Sequence, residues 1–596
     1  MIKQLLMITL GHNASAILYN LETKHVIGYE QERLTRIKGD SQFPADALLE
    51  IVKHEQINKD ECIAFVSHWF PIDGQGQVSI SVATIPNNKY FTVENELLLR
   101  SLAGCVVFCN KEFTHHDAHA YSVMAFRNYF ANKANEGQLE LFDANNDVFT
   151  IVADGFGNER EVLSIYKGEK LIFRKYGYGN SLGLMYQYAT AFVGMKENQD
   201  EYKFLGYESH VREFVSVDAL EPEIIRVVKM LTATDGEPEV STLDLDTEIA
   251  SLENFRAFWY NKFDVVLSYF AGKLTDMDSN TRSFAERSII GYFIQAIVER
   301  TIIHYVDEYE MHDVNVAGGL FYNVKLNNTI LTHIKGTFCP MPLAGDQGAA
   351  IGMAYYYNQQ LRAEGFNFGN LCWGKRSFYN ISKILKNLKR ANACKKLNDY
   401  HINAIANLIA NGNIVNIVGP DMEFGPRALC MTSTLFLPTV ENTAANNYMN
   451  GRNEVMPCAP VCTDRNAKIM FDENELKRVV GSDGYMICTH EYKKNVHYCS
   501  LRSGAMHVKP DNSHSYTGRP QIINVLASYI YMAQILNKVQ QITGIEPLFL
   551  VNTSFNVHGQ PIVFDSHAII ENYKYQCEHA VAGKVPYLFI FEDYEK

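Results

Sequence analysis

The sequence contains no Cys-x-x-Cys pair. Its 12 cysteines are scattered over 596 residues, and the closest spacings are Cys105/Cys109 and Cys458/Cys462. That excludes a zinc ribbon and predicts scattered buried thiols in a reducing compartment. No apolar run approaches the length of a membrane span. The opening MIKQLLMITLGHNASAIL has a single Lys and a short apolar stretch before Gly, His and Asn. It reads as a strand entering a turn, not as a secretory leader, so the expected location is the cytoplasm, with no membrane partner. Excess positive charge is also lacking. The formal net charge of −13 makes the whole molecule a poor match for a polyanion and leaves only a local basic patch as a candidate surface of that kind.

What is present is ordinary globular composition, 47% hydrophobic and 20% charged, which argues against wholesale disorder. A single core rarely exceeds roughly 250–300 residues, so at least two domains are expected. Near the start, QLLMITL reads as a buried strand, GHNASA as a turn, AILYN as a second strand and KHVIGYEQERLTR as a third. DVFTIVADGFGNEREVLSIYKGEKLIFRKYG repeats the plan of strand, Asp/Gly turn, strand, turn, strand. The repetition predicts a duplicated α/β unit whose two turns face each other across a cleft that can hold a phosphate or a metal. Residues 248–309 have helical periodicity. DVNVAGGLFYNVKLNN then runs a strand into Gly318–Gly319 and a helix; it is open to two readings, a nucleotide-binding turn or a tight strand-to-helix connection. PLAGDQGAAIGMAYYY is another Gly/Asp turn entering a helix.

Between Lys375 and Lys396 the chain carries eight Lys or Arg and no acidic residue. It reads as a connection into a second domain, and either a solvated face or a polyanion contact fits it. The expected organisation is therefore 1–370, a basic connection over 371–397, and a second domain over 398–596. The second half holds GPDMEFGPRALC, NGRNEVMPCAP, HVKPDNSHSYTGRPQII and LVNTSFNVHGQPIV beside apolar strands. Arg427, Arg452 and Arg519 stand out there as forked donors for phosphate or carboxylate. Surface ion pairing is the competing use of any one of them.

The stretch FTHHDAHAYSVMAF starts at Phe113 and turns apolar after Asp117 and His119. On a helix, His115 and His119 share one face one turn apart. Two imidazoles leave a first-row metal under-coordinated, and a carboxylate from elsewhere would complete a facial set. Asp346 in GDQG and Asp154 in DGFG are the candidates, each in a Gly-flanked turn after an apolar strand. The stretch alone leaves a metal site and a polar helix start equally open. His116 points away from the pair and reads as structural.

In chain order, GHNASA, HHDAHA, DGFGNER, NSLGLMYQY, AGGLFYNVKLN, GDQGAAIG, EFGPRAL and NTSFNVHGQPIV resemble the motifs of the NodU/CmcH family of O-carbamoyltransferases over nearly the whole chain. The resemblance implies an α/β protein with an N-terminal duplicated actin/hexokinase-like (ASKHA) fold and a C-terminal YrdC-like domain. It implies carbamoyl phosphate as donor, ATP with Mg2+ as co-substrate, carbamoyl adenylate as intermediate, and Fe(II) or a similar divalent metal in the N-terminal domain. Matched position by position, His115, His119 and Asp346 are the implied metal ligands, with Asp154 an acid beside the metal. His12 is the implied base at the acceptor site, and Gly318, Gly319 and Asn323 form the implied adenylate segment. Arg427, Arg452, His507, Arg519, Asn552, Ser554 and Asn556 surround the implied carbamoyl phosphate and ATP site.

The chain departs from the family in several places. Asn13 stands where an acid usually follows the histidine, FLGYESH replaces an acceptor-side segment, Met456 replaces an arginine, and CMTS (Cys430–Ser433) loses another. Carbamoyl phosphate binding would then rely on fewer arginines, or on others such as Lys509. The implied partner is an acceptor hydroxyl, on a small metabolite or on a hydroxymethylated base in DNA such as 5-hydroxymethylcytosine, and the implied assembly includes a homodimer. A tRNA threonylcarbamoyl-type transferase and a non-catalytic metal- or nucleotide-binding relative are the alternatives.

Overall fold

The computed structural model describes residues 1–69, 91–135, 147–233, 251–378, 385, 388–452, 459–493, 506–508, 514–523, 530–581 and 583–594. The N-terminal region contains the duplicated α/β unit. In the first copy, β1 (Gln4–Thr9) pairs antiparallel with β2 (Ser15–Asn20), which pairs with β3 (Val26–Glu30). β4 (Cys62–Ser67) and β5 (Cys105–Phe108) extend the other side in parallel, giving the order β3-β2-β1-β4-β5. The second copy has the same plan: β6 (Phe149–Ala153), β7 (Glu161–Lys167) and β8 (Lys170–Tyr176) form a meander. β9 (Val314–Ala317) and β10 (Phe338–Pro340) then add in parallel, giving β10-β9-β6-β7-β8. All six residues of β1 and all five of β6 are buried, as a central strand covered on both faces requires. One detail differs from the sequence expectation. Only Val26–Glu30 of the third segment is extended, because Gln31–Thr35 turns into a short helix. In that turn the buried Arg33 reaches back three residues to Glu30.

The helices His115–Asn135 and Ala349–Tyr357 lie between the two copies and touch backbone to backbone. Any side chain at Gly352 would overlap the Ala118 carbonyl, so glycine there sets how closely the two helices approach. This crossing brings His115 and His119 to the turn that precedes Ala349. The helical stretch read from periodicity resolves into Leu252–Ser268, Ala271–Thr275 and Ser279–Glu308. The last is long and apolar enough to cross a membrane by length and composition, but 78% of its apolar stretch is buried inside the fold, as in a core helix.

The second half forms a mixed seven-stranded sheet with its own apolar core. Its strand order is Ala391–Lys396, Tyr587–Asp593, Val415–Val418, Thr432–Phe436, Leu550–Ser554, Ala459–Thr463, Gln521–Ile523. Part of the basic segment is therefore an edge strand. Cys372–Lys375 pairs with Asp421–Glu423. Lys375 is bonded to Asp421 at 2.7 Å, and the Arg376 guanidinium donates to the Gly419 and Phe564 carbonyls at 2.9 and 3.0 Å. Burial pulls Arg376 down to about 10. Lys383 and Lys386 lie outside the described residues. Every cysteine among the described residues is a free thiol, and burial pushes Cys62 and Cys109 up to about 12, which makes them poor nucleophiles.

Hydrogen bonds join the two halves. Asn327 and Asn328 donate to the Ile487 and Thr489 carbonyls at 2.7 and 2.8 Å. Beside them His490 is fully buried between Asp483 (2.9 Å) and Glu475 (3.3 Å). Burial works against its charge, but the Asp483 carboxylate outweighs burial and raises the pKa to about 9. Its folded pKa lies above the unfolded value of about 6.5, so the protonated form stabilises the fold. That contribution, on the order of 3 kcal/mol, is complete below about pH 6.5 and is lost as pH rises through about 9. Thermal unfolding followed from pH 6 to pH 9.5 should show this loss, and His490→Gln should flatten it. An equal slope in both proteins would remove His490 as the cause.

Candidate metal centre and the cavity leading from it

The start of the helix His115–Asn135 is capped by side chains. The Thr114 N–H donates to Asp117 Oδ2 at 2.7 Å and the Asp117 N–H donates back to Thr114 Oγ1 at 3.4 Å, a reciprocal capping box. The next two N–H groups donate to Asn158 (2.8 Å) and Glu161 (3.0 Å). His116 turns to Ser164 at 2.8 Å, and burial holds its pKa well below the usual histidine value. Asp117 is ion-paired to Arg174 at 2.7 Å. The polar helix start and the paired histidines thus coexist, because they use different faces of one turn.

On that turn His115 Nε2 and His119 Nε2 stand 3.1 Å apart. Asp154 Oδ2 lies 3.2 and 3.4 Å from them, and Asp346 Oδ1 lies 3.4 and 3.5 Å away. All four side chains are buried, and their ligand atoms fall within 4.8 Å of one another. A tetrahedron with bonds of about 2.0–2.2 Å has edges of about 3.3–3.6 Å, so two imidazoles and two carboxylates fit a first-row divalent ion. Burial opposes charge on all four. The Asp346 and Asp154 carboxylates nevertheless raise His115 to about 10 and raise His119. Against the same burial, hydrogen bonds from His115 and His119 hold Asp154 well below the usual carboxylate range, and His12 and His115 lower Asp346. Asp154 is as near the histidines as Asp346 is, a fourth donor position where the sequence placed an acid beside the metal.

The other N-terminal candidates cluster around this set. Gly318 has φ +98°, and any side chain there would strike the Ala153 carbonyl. Gly319 and Gly155 donate their N–H groups to Asp154 Oδ1 at 3.2 and 2.8 Å, so the glycine turn holds the carboxylate. Asn323 caps the helix Val324–His333 through Leu326 N–H at 3.0 Å and donates to Gln295 at 2.8 Å. His12 is half-exposed, with Nδ1 3.6 Å from Asp346 Oδ2. The acidic neighbour that Asn13 does not provide is therefore supplied by Asp346, which faces the histidine pair with one oxygen and His12 with the other.

A cavity of about 1000 Å³ begins here and is shared by both halves of the chain. The N-terminal half lines it with His12, Asp154, Asp346, Gly319 and Asn323, and the second half with Arg427, Arg452 and Arg519. Arg427 Nε has no hydrogen-bond partner, and no carboxylate pairs with Arg427 among the described residues; burial lowers its pKa. Arg452 donates to Thr553 at 2.7 Å. Asn552 is turned to the loop that carries Arg427, donating to the Ala428 carbonyl at 3.0 Å and to Gln521 at 2.7 Å. Ser554 ends its strand opposite Ser433, and Asn556 donates to the Val557 and Gln560 carbonyls at 3.1 and 2.8 Å. His507 lies in the strand Met506–Val508; its side chain, Met456 and Lys509 lie outside the described residues. Sequence reasoning passed over Glu423. Its Oε1 accepts the N–H groups of Leu429, Met431 and Thr432 at 2.9, 2.9 and 2.8 Å and so braces the Arg427 loop from within.

The family profile described as carbamoyltransferase N-terminus matches residues 5–355, and that described as carbamoyltransferase C-terminus matches residues 406–585. The chain belongs to the carbamoyltransferase family. The carbamoyltransferase is 26% identical to an uncharacterized protein of Methanocaldococcus jannaschii, over 94% of this chain and 95% of that one. It is 22% identical to the nodulation protein NolNO of Sinorhizobium fredii, over 93% of this chain and 75% of the other. Among solved structures, a ROK family glucokinase from Streptomyces griseus aligns at 11% identity and a TM-score of 0.24, covering 59% of this carbamoyltransferase and 98% of the kinase. The ordered motifs that implied the family in the sequence fall inside the two matched regions.

Proposed function

We propose that this carbamoyltransferase moves the carbamoyl group of carbamoyl phosphate to an acceptor hydroxyl by way of carbamoyl adenylate. The observation that carries the reading is the shared cavity, which has the two aspartates of a buried two-His, two-Asp cluster on one wall and Arg427, Arg452 and Arg519 on another. Water would first split carbamoyl phosphate into carbamate and phosphate. A carbamate oxygen would then attack the α-phosphate of ATP and release pyrophosphate. The acceptor oxygen would attack the carbamoyl carbon, expelling AMP, while its proton passes to His12. Arg427, Arg452 and Arg519 would hold the anionic groups, since guanidinium forks match phosphate oxygens. Asn323 and the Gly318–Gly319 turn would hold the adenylate, and enclosure would keep water from it. His115, His119, Asp154 and Asp346 would bind a divalent ion, Fe(II) or similar, whose Lewis acidity would polarise the group under attack.

Of the first two cations of the basic segment, Lys375 is ion-paired to Asp421 and Arg376 donates to the Gly419 carbonyl. This favours a small hydroxylated acceptor over modified DNA. The reading is tested by incubating folded, metal-loaded protein with ATP, Mg2+ and carbamoyl phosphate. Pyrophosphate should appear only when both substrates are present, and a set of hydroxylated acceptors should gain the mass of one carbamoyl group. Absence of pyrophosphate from such a sample would defeat the adenylation step.

A further inference from the structure

The loop carrying Arg427 belongs to the second half of the chain, yet its backbone is gripped by an ion pair from the first. Glu30 ends β3 and Arg33 follows one turn later, and both are almost fully buried, at 4% and 3% exposure. The Gly425 N–H donates to Glu30 Oε2 at 3.0 Å, and Arg33 Nη2 donates to the Gly425 carbonyl at 2.6 Å. The same Glu30 oxygen accepts from Arg33 Nε and Nη2 at 3.2 and 3.0 Å. Both hydrogen-bonding groups of Gly425 are thus held by one carboxylate–guanidinium unit. Gly425 has φ +100°, the left-handed region open to glycine, so the chain turns sharply at the gripped residue and delivers Arg427 two positions later. Glu423 braces the far side of the loop, and Asn552 holds the Ala428 carbonyl.

We infer that Glu30 and Arg33 are positioning residues for Arg427, so that the N-terminal half completes the anion site of the second half. The inference rests on the reading of Arg427 as a ligand of carbamoyl phosphate or ATP. It gives the structural reason for the two halves to act as one enzyme. The cations of the second half are aimed correctly only while β3 and its following turn are docked against the Gly425 loop. The site where carbamoyl adenylate forms is then in register with the metal-side wall where it is used. Charge-assisted hydrogen bonds buried this deeply are among the stronger ones, and losing one shifts a geometry that phosphate recognition reads closely.

The test uses the full-length enzyme and pyrophosphate release from ATP as a function of carbamoyl phosphate concentration. Arg33→Met and Glu30→Gln should each raise KM for carbamoyl phosphate about tenfold or more, the loss expected for a hydrogen bond to a charged group, with kcat changed much less. Arg33→Lys, which keeps one donor, should recover part of the loss. Divalent metal content at the two-His, two-Asp cluster should match wild type, a readout that general unfolding would lower. In the Arg427→Ala background, Arg33→Met should add little, because its effect passes through Arg427. An unchanged KM in both single variants, or an undiminished effect in the Arg427→Ala background, overturns the inference. If wild type itself releases no pyrophosphate, the underlying reading has failed instead, and the two failures are distinguished by that one control.

Discussion

Replacing His119 with alanine should strip the divalent metal and abolish transfer to the acceptor, while pyrophosphate formation from ATP and carbamoyl phosphate stays within a few-fold of wild type. His119 Nε2 lies 3.1–3.5 Å from the other three ligand atoms, and no other buried nitrogen in the cluster can replace it. Outer-shell partners of a metal site cost roughly 10–100-fold in affinity when removed, and a direct ligand should cost more. The arginines that would bind the phosphates lie on the second half of the chain, so under the proposed mechanism the adenylation step would not require the metal ligands. His119→Ala also leaves Asp154 and Asp346 with one fewer compensating imidazole in a buried site, and removing one partner of such a set destabilises the fold. His119→Gln therefore serves as the control, retaining a polar group of similar size. Metal content by elemental analysis, pyrophosphate release and carbamoyl gain on the acceptor are measured on the same preparations. Loss of both chemical steps in equal proportion, with the protein still folded, would contradict the assignment of two sites.

The spacing His115–His119, the duplicated meander and the order of the motifs were legible without coordinates, because each is written in local sequence as an i,i+4 relation, a repeated strand-turn plan or a run of turn residues. The convergence of the cluster was not. Asp154 directly follows β6 and Asp346 follows β10, and only the packing of His115–Asn135 against Ala349–Tyr357 places both beside the histidines. The choice between helix cap and metal site could not be made from the stretch either, since Thr114 and Asp117 cap the helix on one side while His115 and His119 converge on the other. Glu30 and Arg33 gave no sequence signal at all, and Glu423 was read only as the first residue of the EFGPRAL motif. Nearly 400 residues separate Glu30 from Gly425, and a buried carboxylate that grips a distant backbone reads in sequence like any surface acid. Asn552 was singled out in the sequence as a residue of the implied second-half site, and its amide is turned to the Arg427 loop and to Gln521.

Arg427→Ala should raise KM for carbamoyl phosphate about a hundredfold or more, as expected when two charge-assisted hydrogen bonds of roughly 1.5–3 kcal/mol each are withdrawn from an anion. Its effect on stability should have the opposite sign. The guanidinium is half-buried on the cavity wall, has no carboxylate partner among the described residues, and leaves its shielded Nε without an acceptor. Such a cation destabilises the free protein until an anion arrives, so the alanine variant should unfold at the same temperature as wild type or higher. Carbamoyl phosphate or ATP should raise the melting temperature of wild type and have much less effect on the variant, because only wild type gains a partner for the half-buried charge. Arg427→Lys should restore part of the binding but not its full extent, since a single ammonium cannot present the planar fork that two phosphate oxygens accept. Calorimetric melting with and without each substrate, alongside the pyrophosphate assay, reads both effects. A variant that melts well below wild type in the absence of ligand would make Arg427 a structural cation and remove it from the anion site.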